Sequence, residues 1–341
     1  MPFADLIGHE RAKALLRAAI ANQRVAHAYL FHGPDRIGKR RLALASIQAM
    51  CCDRAGSGGE PDACGQCRSC HQLEQGSHPD LCLVTPDVSG ATPRIRIEDI
   101  REIESRLIYR PLVAERKFCL IDDADRLTLE AANALLKTLE EPPGFAMLIL
   151  VSSRPFALPA TIRSRCQSLR LSAPAIAETR SALRRLRGLS ETDAQLAASV
   201  TEGRLGEALT MDLAARREQQ EHIATLTAPA SLRSIATILT TAETLAKGEE
   251  SAADILDRLA VWIRDVALTH LGVSADRLTH PGQEGALRAF ASASDLDRLL
   301  DVLTEIDTFQ RNSTRNLNPQ LMLEHVLLTL RDASVPAAPR R

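Results

Sequence analysis

A short apolar run, Ala28-Tyr29-Leu30-Phe31, meets a glycine turn and then a helix-forming segment, and the turn reads Gly33-Pro-Asp-Arg-Ile-Gly38-Lys39. This is the G-x-x-x-x-G-K spacing of a phosphate loop, set between a strand and a helix where such loops belong. Two glycines permit the tight turn, backbone N–H groups can cradle phosphates, and the lysine can reach the terminal ones. A strand that feeds a helix in this way calls for parallel partners in a sheet covered on both faces. The next position should be Ser or Thr, whose hydroxyl binds the magnesium of a bound nucleotide. Here it is Arg40. A guanidinium cannot coordinate a cation, and it brings positive charge to the place a metal would need.

The alternation continues downstream. Apolar runs at 81–84, 117–122 and 146–152 read as strands, the segment QSLRL at 167–171 as a last one, and residues 11–21, 40–50, 97–109 and 128–140 as helices. Thr128 is a natural N-cap for the last of these, and Pro142-Pro143 ends it. Residues 1–172 therefore read as an α/β module. After Pro174 the strand signals stop: 173–213 read as a small helical unit, 214–333 as a larger all-α domain, and 334–341 as a frayed tail. Aromatics are 3% of the chain, so Ala, Leu, Ile and Val must fill the cores. With 42 basic and 43 acidic residues the net charge is −1, so contact with nucleic acid would need a local patch or another subunit. No apolar run approaches the ~18 residues of a membrane span and the start resembles no signal peptide. No membrane association is expected, and the cytoplasm is.

Two further motifs carry chemistry. The strand "FCLIDDAD", 118–125, places Asp122 where a nucleotide hydrolase holds its metal through water, and Asp123 where such enzymes have the Glu that polarises the attacking water. One missing methylene can leave a carboxylate ~1 Å short, which can cost about 10²-fold. The segment "CCDRAGSGGEPDACGQCRSC", 51–70, holds five of the eight cysteines. C-x2-C-x2-C supplies Cys64, Cys67 and Cys70, and Cys52 or Cys51 closes a four-thiolate site, with the spacing favouring Cys52. Four thiolates with no open position suit structural zinc. An iron–sulfur signature would continue x3-C-P, and here His71-Gln72-Leu73-Glu74 follows. A zinc module is expected over 51–78. Cys82, Cys119 and Cys166 read as small core residues.

The stretches "HAYLFHGPDRIGK", "IDDADRLTLEAANALLKTLEEPP" and "LPATIRSRC", with the cysteine module after the first phosphate-loop helix, together resemble the delta-prime family of bacterial clamp-loader subunits, AAA+ proteins of DNA polymerase III. The resemblance is strong over about residues 7–172 and weaker beyond. It implies an AAA+ module, a helical lid and a collar domain joining a hetero-oligomeric ring with ATPase gamma/tau and delta subunits. Through that ring the family acts on the sliding clamp and primed DNA. It also implies zinc at Cys52, Cys64, Cys67 and Cys70, and a degenerate ATP loop at Gly33, Gly38 and Lys39. Arg165, in Ser164-Arg165-Cys166, becomes an arginine finger offered in trans to a neighbouring ATPase. In "TEGRLGEAL", 201–209, Gly206 stands where active relatives carry a nucleotide-sensing arginine. With Arg40 and Asp123 that makes three defects, so no ATPase activity is expected of the isolated chain, although the retained Gly38-Lys39 leaves nucleotide binding open. The competing readings are an ATP-hydrolysing motor subunit of the same loader and a zinc-dependent DNA-binding module. The second is weakened by Asp53, Glu60, Asp62 and Glu74, which outnumber Arg54 and Arg68 around the cysteines.

Overall fold

The five expected strands form: β1 (Ala28–His32), β2 (Leu81–Val84), β3 (Lys117–Ile121), β4 (Ala146–Ser152) and β5 (Gln167–Arg170), the last mostly exposed. The computed structural model describes residues 2–54, 61–89, 92–228, 230–248, 250–274, 277–280, 282–311 and 318–334. Residues 55–60 of the cysteine segment, Glu60 among them, and 335–341 of the expected tail lie outside that set. The chain divides into two units, Met1–Ala182 with Glu202–Leu209, and Leu183–Thr201 with Thr210–Arg341.

In the first unit the strands form one parallel sheet in the order β2-β3-β4-β1-β5. Its helices are α1 (Glu10–Ala21), α2 (Lys39–Cys51), α3 (Arg68–Glu74), α4 (Ile97–Leu107), α5 (Leu129–Glu140) and α6 (Ala160–Arg163). Side chains alternate across the strands. Tyr29, Phe31, Phe118, Leu120, Met147 and Ile149 pack with Leu42 and Ile47 of α2 on one face. Leu30, Cys119, Ile121, Leu148 and Leu150 pack with Ile100 and Ile103 of α4 and Leu135 of α5 on the other. A sheet covered on both faces buries every residue of β3 and β4, which is why these strands are continuous apolar runs. The Thr128 hydroxyl caps α5 by accepting from the Ala131 N–H (3.2 Å). The chain runs from β1 to β2 at the far edge and returns through β3 and β4, so the order reverses beside β1. A crevice at the carboxyl ends of strands, at such a switch point, is where open α/β sheets bind ligands.

The helix expected over 97–109 stops at Leu107. Lys117 Nζ takes the carbonyls of Arg106 (2.7 Å) and Tyr109 (3.1 Å), drawing the chain out of the helix. Beyond it Asp80, with no exposed surface, accepts the N–H groups of Leu112 (2.7 Å), Val113 (2.8 Å) and Ala114 (2.9 Å). Burial alone would raise the Asp80 pKa, but these three donors outweigh it and hold the carboxyl below its ordinary 3.8. Asp80→Ala removes the acceptor shared by three N–H groups and should lose about 2–4 kcal/mol of stability in urea unfolding at neutral pH. The folded-state pKa lies below the unfolded one. The stabilisation is therefore complete above the ordinary carboxylate value and fades as pH falls through the folded pKa. The deficit of the variant should shrink in the same acidic window.

The second unit is helical. Its members include α8 (Glu191–Val200), α10 (Leu213–Leu226), α11 (Ile235–Lys247), α12 (Ala252–His270), α13 (Glu284–Ala293), α14 (Leu296–Arg311) and α15 (Pro319–Ser334), while α7 is Ile176–Arg187 and α9 is Leu205–Ala208. Trp262, Leu259 and Val266 of α12 centre a core closed by Leu299, Val302, Leu323 and Leu327. Buried Asp265 accepts from the backbone of Thr279 (2.6 Å) and His280 (3.0 Å) and from His280 Nδ1 (2.8 Å), tying the segment before α13 to α12. Among the described residues no helix is long and apolar enough to cross a membrane.

Candidate functional site

The phosphate loop leaves the carboxyl end of β1 and enters α2 at Lys39. Gly33 has φ +155°, and a Cβ there would sit 2.1 Å from the Leu171 carbonyl oxygen, so no other residue fits. Lys39 is buried, and its ammonium donates to the loop carbonyls of Pro34 (2.6 Å) and Gly33 (3.1 Å). Burial lowers its pKa, with Asp35, Asp123 and Asp122 opposing. The loop thus satisfies its own lysine. Arg36 is left-handed (φ 57°), a conformation that costs a non-glycine residue about 1–2 kcal/mol. Its carbonyl accepts the Gly206 N–H at 2.9 Å, and a Cβ at position 206 would lie 2.7 Å from that oxygen. A glycine, not an arginine, is what this contact admits. On the other side His9 Nε2 donates to the Ile37 carbonyl (2.8 Å). His9 attracted no notice in the sequence, where Gly8-His9 is merely the lead-in to α1.

Arg40 projects from the first turn of α2 toward the end of β3, where its Nη1 stands 3.4 Å from Asp122 Oδ2. Burial raises the Asp122 pKa and the Arg40 charge opposes it. The carboxylate that would reach a metal through water is spanned by a guanidinium instead. Asp123 takes a left-handed backbone (φ 47°), and burial, then Asp122 and Asp125, raise its pKa. Asp125 accepts from Ser152 Oγ (2.8 Å), Ser153 N (3.2 Å) and Arg154 Nε (3.1 Å), which locks the ends of β3 and β4 together. Ser152, level with His32 in the sheet, is a polar strand-end residue that the apolar pattern concealed.

Arg165 lies between α6 and the start of β5. In the register of the parallel pair, Gln167 is level with Tyr29 and Arg170 with His32, the last residue before the loop. Arg165 is therefore at the amino end of the sheet and the phosphate loop at the carboxyl end, on the order of 15 Å away at ~3.3 Å per residue. It cannot serve its own loop. Its guanidinium pairs with Glu140 Oε1 (2.5 Å) and donates to the Thr161 carbonyl (3.1 Å).

Four thiols, Cys52, Cys64, Cys67 and Cys70, come together with all sulfurs within 4.8 Å of one another. A tetrahedral zinc with Zn–S of about 2.3 Å would set its sulfurs about 3.8 Å apart, and Cys67 and Cys52 are 4.0 Å apart. Backbone N–H groups already point at sulfur: Cys64 N at Cys52 (3.2 Å), Cys67 N at Cys64 (3.2 Å), Cys70 N at Cys67 (3.5 Å). Such donors favour thiolates, and the Gln66 N–H leads in lowering Cys64 to about 6. The donor set fits a four-coordinate structural ion. Cys51 is outside the cluster, at the end of α2, where burial pushes its thiol to about 12.

Two family models match the chain. One, described as DNA polymerase III, delta subunit, covers residues 8–175; the other, DNA polymerase III, delta subunit, C terminal, covers 214–332. The chain belongs to the DNA polymerase III delta-subunit family. Within it, the chain is 40% identical over 141 residues to DNA polymerase III subunit delta' of Pseudomonas aeruginosa, covering 41% of this chain and 42% of that one. It is also 34% identical over 216 residues to the tau subunit of Escherichia coli, covering 61% and 32%. The chain spans less than half the length of these curated relatives. A DNA polymerase III gamma subunit-related protein of Thermotoga maritima superposes over 94% of this chain and 99% of its own, at 18% identity and a TM-score of 0.39. At that score the likeness adds nothing to the topology described above.

Proposed function

We propose that this chain is the non-motor subunit of a bacterial sliding-clamp loader. It does not hydrolyse ATP; it holds a place in a ring with gamma/tau- and delta-type subunits and offers Arg165 to a neighbour's nucleotide. The observation that carries this reading is the Arg40–Asp122 pair, 3.4 Å apart where a magnesium ion would bridge loop and acid turn. The Gly206–Arg36 contact and the self-satisfied Lys39 point the same way. Arg165, at the far end of the sheet from its own loop, supports a role in trans: a guanidinium aimed at a transferring phosphoryl group stabilises the charge that develops there. In this reading 1–172 is the AAA+ module, 173–213 the lid and 214–333 the collar. The four-cysteine module holds structural zinc, and clamp and primed DNA are met through the assembled complex.

The motor reading has two observations in its favour, the intact Gly33, Gly38 and Lys39 and the 34% identity to a tau subunit. Titration of ATP into the lone chain with and without magnesium, alongside an ATPase assay, separates the two. No turnover is expected, and any binding should be indifferent to magnesium. Arg40→Thr, which frees Asp122 and restores a hydroxyl, should make binding magnesium-dependent. Turnover by the unaltered chain that Lys39→Ala abolishes would establish the motor instead.

A further inference from the structure

Cys82 and Cys119 take part in neither the phosphate loop nor the four-cysteine cluster. They are directly opposed across the parallel pair β2–β3, and neighbouring strands run about 4.8 Å apart. Opposed residues face the same side, and both thiols lie in the core shared with α4 and α5, at 3% and 0% exposure. Disulfides span Cα separations of about 4.4–6.8 Å, so the pair is within bridging range as it stands. β2 is the edge strand. There Cys82 lines a pocket of about 180 Å³ with Asp99, Glu102 and Arg106, room for several molecules of water size at ~30 Å³ each. Cys119 faces Cys82 across the ladder, and Arg106 lines the same pocket as Cys82. Together these bring the Cys82 thiol down to about 7. Cys82 beside it and burial push the Cys119 thiol the other way. One sulfur is set up as a nucleophile, and its neighbour keeps its proton.

We propose that Cys82 and Cys119 are a peroxide-reactive thiol pair that closes to a disulfide between β2 and β3. The Cys82 thiolate attacks a hydroperoxide: the S–O bond forms, the O–O bond breaks, and the departing oxygen takes the electron pair and a proton. Cys119 then attacks the resulting sulfenic acid. The S–S bond forms, the S–O bond breaks, and hydroxide leaves with the Cys119 proton as water. Two thiols are oxidised and one hydroperoxide is reduced, so atoms and electrons balance. The new bond would clamp the strand that leads into Asp122.

The test treats the metal-loaded full-length chain with hydrogen peroxide at neutral pH, followed by alkylation and peptide mapping. A linked peptide carrying Cys82 and Cys119 is expected to form about tenfold or more faster than Cys166 is oxidised, since burial pushes the Cys166 thiol to about 12. In Cys119→Ser, dimedone should label Cys82; in Cys82→Ser, Cys119 should stay reduced. Arg106→Gln should slow the reaction without preventing it. Absence of the linked peptide from the unaltered chain, or equal oxidation rates for Cys82 and Cys166, overturns the proposal without reliance on any variant.

Discussion

Replacing Arg165 with alanine is expected to lower the clamp-stimulated ATPase of the reconstituted loader by about 10³–10⁵-fold at the site this chain faces. The chain's own fold should be untouched. Arg165 is half-buried on a surface loop, and its ion pair with half-exposed Glu140 is of the kind worth about 0–1 kcal/mol. A large kinetic loss beside a negligible shift in unfolding midpoint is the signature of a finger; a comparable loss of stability would indicate a structural role. Arg165→Lys should rescue little, because a point ammonium lacks the planar fork that matches phosphoryl oxygens. Glu140 holds the guanidinium in the isolated chain, so under the proposed role docking against a neighbour would exchange that carboxylate for phosphate. Glu140→Gln should consequently leave turnover near normal. If Arg165→Ala leaves turnover of the assembled complex unchanged, Arg165 is not the finger.

Removing the proposed zinc from the cysteine module is the second large effect expected. Binding to four thiolates contributes about 10–16 kcal/mol of apparent free energy in small structural zinc modules. The described local core of the module is the thiols themselves: Cys52, Ala63, Cys67 and Cys70, with Cys64 packed against it. Metal analysis of the purified chain should find about one zinc and no iron. A strong chelator, or Cys70→Ala, should release it and expose the amides of α3 to hydrogen exchange. The sheet should stay protected, because β1, β3 and β4 are held by their own ladders and by packing on both faces. Burial raises the metal-free Cys70 thiol well above its ordinary value, so binding must displace protons and affinity should fall as pH falls. A brown protein with charge-transfer bands would replace zinc by an iron–sulfur cluster.

What the sequence alone determined is what short covalent spacing carries. Buried parallel strands are written as continuous apolar runs, so β1 to β4 could be read within a residue of their bounds; β5, mostly exposed, carries no such run and is legible only from its place in the alternation. The phosphate loop lies within seven residues, and C-x2-C-x2-C within another seven. Tertiary structure decided everything that depends on strand order, register and long closure. Arg40 reaches Asp122 across 82 positions of chain. Gly206 meets the Arg36 carbonyl, Asp80 gathers three distant N–H groups, and Cys52 rather than Cys51 turns toward the other thiols. Cys82 faces Cys119 only because β2 pairs with β3 in that register. Arg165 stands at the opposite end of the sheet from its own loop only because β5 runs parallel to β1. Local patterns specify elements because they act within one turn or one strand. Contacts between elements are set by which faces must be buried together, and no spacing within a segment records that.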